Sequence, residues 1–526
     1  MSYINAIQKS NKVIVWERSA SGRKAVTYPG IFEYYVPDPH GEITSIFGNK
    51  VSLCTFDSYW EFKTSLDDYK AYPVPLRYES DIGTEYKVLS ENYYDVDPPK
   101  LNITLYDIEV DYDETIGFSS VENPYAPINA IALYHEWSGK QLVLAVPPPG
   151  WDSNGNDELY AMGEETGTEI RLFSTESELL LVFLDEIEDS DCISGWNSDF
   201  FDTPYICARI QKSLGDVFFK KMSFPEAAAP KYRLQQVFGV DRTTVDLGGR
   251  ISYDYMELFK KFEMNGRPSY SLEAISNEVL PDLPKLTYTG SLAKLYKNDF
   301  VFFIRYNIRD TEVLRGFEEK LGYIQLASVL YHSSCGLPAN IFGTIKLVDL
   351  ALINHCHYNL GVVVPDHNKL KIDGGAFGAM VLHPQKGLHS WIGSIDITSL
   401  YPSSIRMNNI SPEKLIGQMR GSLTDDDRGR HSAWDIIHRN SSTESVTMDY
   451  DDIDKYGETE THTGAEWREI LFEHKWSISG YGTIFDQATP GMFPTVLHTW
   501  FKDRDVYKKK MNGAKKSAAA ILEKYK

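Results

Sequence analysis

Apolar residues recur along this chain with two periods, and the change from one to the other marks out its organisation. Through the first hundred residues they come in short runs of β type broken by Gly, Pro and Asp turns, ending at the natural linker Pro98-Pro99. A strand through Leu105 follows, then two more strand-like runs (Ile128 to Tyr134 and Leu142 to Val146), a helix around Leu179 to Glu186, and a strand reaching Gly195. Three strands, a helix and another strand predict an α/β domain. Tyr255, Leu258, Phe259 and Phe262 recur at i, i+3, i+4 and i+7, the stripe of an amphipathic helix that packs on that domain as core. Further on, an apolar run from Trp391 predicts a strand ending at Asp396, and Pro402 suits the first turn of a following helix. Trp500 to Lys508 reads as helix, and no internal repeat or low-complexity tract interrupts the pattern.

At 526 residues the chain is too long for one core, and three or four domains are expected. Its longest apolar stretches, such as Leu179 to Leu184, fall far short of a membrane span, and its N-terminus lacks the basic-then-apolar order of a signal peptide. No membrane association and no export are expected. Cys54, Cys192, Cys207, Cys335 and Cys356 are scattered without paired C-x-x-C spacing, which argues against a disulfide framework or a structural zinc and for a reducing, intracellular setting. His355-Cys356-His357 alternates faces without a companion pair and reads as structural. The net charge of -21 opposes nucleic-acid binding as a sum, but residues 502 to 526 hold nine Lys/Arg against three Asp/Glu, so a basic face exists locally.

Five acids stand in patterns that suit metal chemistry. In Tyr106-Asp-Ile-Glu-Val110 the carboxylates are two apart on a strand, project from one face, and repel unless a cation joins them; acids on a solvated edge strand are the bland alternative. Asn197-Ser-Asp-Phe-Phe-Asp202 supplies a third acid just after a strand, and Tyr306-Asn-Ile-Arg-Asp310 a fourth, with Tyr306 and Asp310 adjacent on a helix face. In Ser394-Ile-Asp-Ile-Thr-Ser-Leu-Tyr-Pro-Ser403 a strand delivers Asp396 to a helix N-terminus. There the N–H groups of Ser399, Leu400 and Tyr401 can take phosphate oxygens while Asp396 holds the divalent cation; an ordinary capped helix is the alternative. Arg504 and Lys508, four apart, can grip neighbouring phosphates.

Taken in order, D-x-E, N-x-x-x-F-D, Y-x-x-x-D and D-x-x-S-L-Y-P-S resemble the three exonuclease motifs and the first palm motif of family B DNA polymerases, in particular the replicative polymerases of T-even-like phages. The resemblance implies a ribonuclease-H-like 3′-5′ exonuclease domain inserted in an N-terminal domain, then an incomplete palm and the start of the fingers, an α/β and α+β multidomain protein. It implies that Asp107, Glu109, Asp202 and Asp310 bind two Mg²⁺ or Mn²⁺ ions, that Tyr306 orients the attacking water, and that Phe201, with Asn197, meets the frayed primer end. It makes Asp396 the first palm carboxylate, places Ser399, Leu400 and Tyr401 along the incoming triphosphate with Tyr401 as steric gate, and sets Arg504 and Lys508 on the triphosphate tail. Ile372-Asp-Gly-Gly-Ala376 resembles the linker between exonuclease and palm without its usual leading Tyr, and Gly374 and Gly375 permit close approach to template DNA.

The sequence contains no K-x-x-x-N-S-x-Y-G fingers motif and no D-T-D-S motif with the second palm aspartate. Asp396 alone cannot fix both ions of a polymerase site, so the expectation is a truncated polymerase or the first piece of a split one, unable by itself to extend primers. The expected domains are residues 1–100 with 323–367 (N-terminal), 101–322 (exonuclease), 368–490 (palm) and 491–526 (fingers). Primer-template DNA, deoxynucleoside triphosphates and a C-terminal polymerase fragment are the expected partners, a sliding clamp and other replication proteins are candidates, and the cytoplasm of an infected host is the expected location. A free-standing exonuclease and a non-catalytic DNA-binding subunit are the rival readings.

Overall fold

The computed structural model describes the chain apart from residues 70–76, 112–115, 118, 153–154, 238–239, 368–381, 398, 422–426, 452–456 and 526. Two compact units result. The first gathers Met1–Glu33, Thr55–Pro73 and Ile82–Ala351, and the second Tyr34–Cys54, Val74–Asp81 and Leu352–Lys526.

The first unit is built on a six-stranded mixed sheet of β1 (Ile103–Val110), β2 (Ile128–His135), β3 (Lys140–Ala145), β4 (Thr168–Leu172), β5 (Cys192–Gly195) and β6 (Ile251–Asp254), in the order β4-β3-β2-β1-β5-β6. β1, β2 and β3 are antiparallel neighbours, whereas β5 runs parallel to β1, β6 to β5 and β4 to β3. Nearly every residue of β2 is buried, because helices cover both faces, so its sequence is a continuous apolar run instead of an alternation. One face packs on Leu179, Leu180 and Phe183 and on α1 (Asp202–Leu214). The other carries small residues, Ala130, Ala132 and Ala145, against Phe300, Phe303, Ile304 and Ile308 of α3 (Phe300–Leu321). The amphipathic helix read from the sequence is present as α2 (Tyr255–Phe262), with Tyr255, Leu258 and Phe259 buried against Val313, Leu314 and Phe317 of α3.

A three-stranded antiparallel meander (Ser2–Lys9, Lys12–Ser19, Gly22–Pro29) belongs to the same unit. Tyr331 donates to the carbonyl of Ile4, and His332 Nε2 lies 2.7 Å from that of Tyr3. On its far side Arg18 reaches the sheet: Nε donates to Asp191 Oδ2 at 2.7 Å and Nη1 to Asp189 Oδ1 at 3.0 Å, while Asp191 also accepts the Asn102 N–H at the start of β1.

The second unit holds a small core of Tyr35, Val51, Tyr78 and Val363 and a five-stranded antiparallel sheet. The sheet consists of β7 (Leu415–Gly421), β8 (Ser445–Tyr450), β9 (Thr459–Thr463), β10 (Trp476–Ile478) and β11 (Thr483–Asp486), ordered β9-β8-β7-β11-β10. α5 (Asp427–His438) and α6 (Gly464–His474) bury Ile436, Ile437, Trp467 and Leu471 with Met419, Val446 and Ile484 of the sheet. α4 (Leu400–Asn408) packs on α7 (Met492–Tyr525), where Arg406 meets His498 at 3.1 Å. The helix read from Trp500 onward lies inside α7.

One expectation fails here. Residues 391–397 form no strand, and Trp391, Ile392 and Ile395 are exposed. A strand needs a neighbour to take its N–H and C=O groups, and among the described residues this run has none. No described helix is long and apolar enough to cross a membrane.

The Arg18 cluster generates a prediction. Asp191 is fully buried and pairs also with Arg23 at 3.7 Å, so Arg18→Ala leaves its charge with one weaker cation and should cost up to about 3 kcal/mol, read as a lowered urea midpoint. Arg18→Lys, unable to form the paired contacts, should recover only part of it. A midpoint unchanged in Arg18→Ala would mean that the cluster contributes nothing.

Candidate functional site

Three elements of the first unit converge on one acidic site. β1 contributes Asp107 and Glu109, whose cross-strand partners on β2 are Ala132 and Ala130. Those two positions are small, which leaves room over the sheet for the carboxylates and for α3. α3 contributes Tyr306, Asn307 and Asp310. One ligand oxygen from each of Asp107, Glu109 and Asp310 lies within 4.8 Å of the others. Asn307 Nδ2 donates to Asp107 Oδ2 at 2.8 Å, fixing the rotamer of that carboxylate.

Asp202 arrives from α1. It lies outside the trio, yet its Oδ1 accepts the N–H of Ile108, the residue between Asp107 and Glu109, at 3.3 Å. Tyr106 hydroxyl and Thr203 Oγ1, 2.6 Å apart, pin the same helix end to the same strand. The approach is close enough to require Gly195, since a Cβ there would stand 2.9 Å from the Tyr106 carbonyl. Asn197 adopts φ +62° and donates its N–H to Asp254, turning the chain from β5 into α1, and Phe201 leans on Tyr205 at 5.1 Å between centroids.

The site holds more negative charge than its own cations balance. Lys285 Nζ sits 2.7 Å from Asp310 Oδ2 and 4.8 Å from the ring centre of Tyr306, which packs edge-on against Tyr288. Burial first, and then the charge of Asp310, hold Asp107 and Glu109 well above ordinary carboxylate values. Burial also pushes Asp202 up to about 7 and raises Asp310 despite Lys285. Burial alone would lower Lys285, but Asp310 outweighs it and keeps the ammonium charged. Asp310 Oδ1 is buried without a hydrogen-bond partner. Acid oxygens gathered around an unsatisfied one fit a hard divalent cation such as Mg²⁺ or Mn²⁺.

The structure thus brings together Asp107, Glu109, Asp310 and Tyr306 with Asp202 alongside, all singled out from sequence. Lys285 and Asn307 were missed. Lys285 stands in a loop with no periodicity to mark it, whereas Asn307 lies three residues before Asp310 and could have been found from that spacing.

In the second unit Asp396 is exposed ahead of α4, Ser399 holds the N-cap position at φ +53° without a side-chain capping bond, and Leu400 and Tyr401 (68% exposed) open its first turn. Arg504 and Lys508 are exposed four apart on α7. Gly374 and Gly375 lie outside the described residues.

Two family models match the chain: "DNA polymerase family B, exonuclease domain" over residues 76–275 and "DNA polymerase family B" over residues 343–525. Among curated relatives, the DNA-directed DNA polymerase of Escherichia phage RB69 is 30% identical over 63% of this chain and 38% of that protein. The DNA-directed DNA polymerase of Enterobacteria phage T4 is 28% identical over 66% of this chain and 34% of its own length. A DNA polymerase of Pyrococcus glycovorans is 27% identical over 47% of the chain and 32% of that polymerase. The chain therefore spans little more than a third of the phage relatives that it matches.

The raised carboxyls give a prediction with a definite sign. Asp202 binds a proton in the fold that the unfolded chain, with its ordinary value of 3.8, has released, so its contribution to stability is lost as pH rises from there through about 7. An ion that replaces the protons restores it. Mn²⁺ should raise the melting temperature more at about pH 7.5 than at about pH 5, adding about 2.7 kcal/mol at a hundred times its dissociation constant. Thermal scans of Asp107→Ala should show no such shift; an equal shift would place the ion elsewhere.

Proposed function

The chain belongs to family B of the DNA polymerases, and we propose that its acidic site is a 3′-5′ proofreading exonuclease within the N-terminal part of a replicative DNA-directed DNA polymerase. The observation that carries this reading is the convergence of Asp107, Glu109 and Asp310 around an unsatisfied buried oxygen. The sheet order, antiparallel through β1, β2 and β3 and parallel through β1, β5 and β6, supports a ribonuclease-H-like arrangement of the domain. The bonds from Tyr331 and His332 to the first strand support a split N-terminal domain of residues 1–100 and 323–367 around an exonuclease domain of 101–322, followed by palm (368–490) and fingers (491–526).

Asp107, Glu109, Asp202 and Asp310 would hold two Mg²⁺ or Mn²⁺ ions, which supply hydroxide near neutral pH and stabilise the departing 3′ oxygen. The protein's own groups do the positioning. Asn307 keeps Asp107 aimed at the site, Lys285 offsets one carboxylate and stands ready for a phosphate oxygen, and the Tyr306 phenol orients the attacking water. Phe201 and Asn197 receive the unpaired terminus. A water oxygen bonds to phosphorus as that water gives up a proton to solvent, the bond from phosphorus to the 3′ oxygen breaks, that oxygen takes up a proton from solvent, and a nucleoside monophosphate leaves. A mispaired end unpairs at less cost than a paired one, which biases cleavage toward errors.

In the second unit Asp396 would carry metal for nucleotidyl transfer. Ser399, Leu400 and Tyr401 would line the triphosphate, the Tyr401 ring excluding a 2′-hydroxyl, while Arg504 and Lys508 take the phosphate tail and Gly374 and Gly375 approach template. Primer-template DNA, deoxynucleoside triphosphates, a C-terminal polymerase fragment and a sliding clamp complete the proposed set of partners, in the cytoplasm of an infected host. Five free cysteines suit that compartment.

With a 5′-labelled mispaired primer-template, Mg²⁺ and four deoxynucleotides, a denaturing gel should show shortening from the 3′ end. Asp107→Ala should nearly abolish it, and Asn307→Ala should reduce it by about 10- to 100-fold through weakened metal affinity. Undiminished cleavage by Asp107→Ala would overturn the assignment.

A further inference from the structure

The five-stranded sheet of the second unit carries a groove that neither proposed activity uses. It opens where α5 and α6 end against the edge strand β10, and has a volume of about 560 Å³. Its lining combines His438, Arg468, Phe472, Lys475, Trp476 and Ile478. Two features distinguish it from ordinary surface. Phe472 is 88% exposed on a helix whose apolar neighbours Trp467 and Leu471 are buried, so the ring is presented to solvent and not to the core. The charged side chains that line it are also of one sign, Arg468 and Lys475, with Glu469 and Glu473 exposed beside them on α6.

Positive charge gathered on a chain of net charge -21 selects for an anionic ligand. Among the described residues Arg468 reaches the His438 carbonyl at 3.5 Å, and Lys475 stands at φ +56° where α6 stops, so the two residues are about 10 Å apart along the helix axis at backbone level, with Phe472 between them in sequence. Flat rings border the same opening. Trp476 is held by His474, stacked at 4.6 Å and 21°, and His438 by Trp434, stacked at 3.7 Å and 22°. Cations that follow a backbone, alternating with ring faces that accept any base, are the combination that binds unpaired strands without regard to sequence. The volume falls in the range of pockets that take a nucleotide-sized ligand.

We propose that this groove binds single-stranded nucleic acid, one base stacking on Phe472 or Trp476 while the flanking phosphates meet Arg468 and Lys475. The site is separate from the acidic cluster, and its test does not depend on nuclease or polymerase activity.

The test is fluorescence anisotropy of a labelled ten-residue oligothymidylate titrated with the whole chain in EDTA, where no cleavage occurs. Phe472→Ala should weaken binding at least fivefold, the loss of one base stack. Arg468→Ala with Lys475→Ala should weaken it further and lower the slope of log affinity against log salt by about 1 to 2. Phe472→Trp should keep the affinity, which separates a lost ring from a damaged fold. Retained affinity and salt slope in both alanine variants would overturn the proposal. So would variants that lose binding of an acidic, aromatic peptide while still binding the oligonucleotide, an outcome that assigns the groove to a protein partner.

Discussion

Like charges confined beneath a helix are the constraint on which the acidic site depends. Carboxylates less than 5 Å apart repel by about 3–4 kcal/mol per pair at an effective dielectric constant near 20. Nothing in the apolar packing would gather them, so the surrounding structure has to. The large residues on one face of the sheet and the alanines on the other let α3 descend onto β1, and that descent places Asp310 beside Asp107 and Glu109. Asn307, Lys285 and the Ile108 N–H then each satisfy one carboxylate oxygen. One ammonium among four acids leaves the site short of positive charge, which is the electrostatic condition for holding divalent ions.

What was legible in the sequence follows from how local each signal is. The pairs Asp107/Glu109 and Tyr306/Asp310 were readable because strand period and helix period alone put each pair on one face. α2 was readable for the same reason, its stripe at i, i+3, i+4 and i+7. Asp202 was readable only through its motif, since its place near the trio depends on the tight turn at Gly195 and Asn197. Lys285 was not readable at all. It acts from a loop and meets Asp310 through tertiary packing, and an isolated lysine carries no pattern.

The run from Trp391 to Ile397 shows the opposite failure. Its composition is that of a buried strand, and the expectation of a strand ending at Asp396 was sound as local reasoning. Strand formation is not local, however: the ladder of hydrogen bonds comes from a neighbour, and the described residues offer none there. Apolar residues at Ile392, Ile395 and Ile397 therefore stand in solvent. The helix after them needs no such partner and forms as expected, because its hydrogen bonds close within itself.

Net charge gives a poor forecast for a protein of this kind because phosphate recognition is decided over a Debye length, not over the chain. Residues 502–525 of α7 carry five excess positive charges, and Arg468 and Lys475 border an aromatic groove on a separate sheet, while Asp107, Glu109, Asp202 and Asp310 gather in the first unit. On the proposed function, the acidic cluster would repel DNA until ions occupy it, so its affinity for a strand end would be conditional on metal. The basic surfaces carry no such condition. On the proposed function, a chain with these charges would hold a strand through its cations and cut it only where the acids have been neutralised, which would separate binding from hydrolysis by electrostatics.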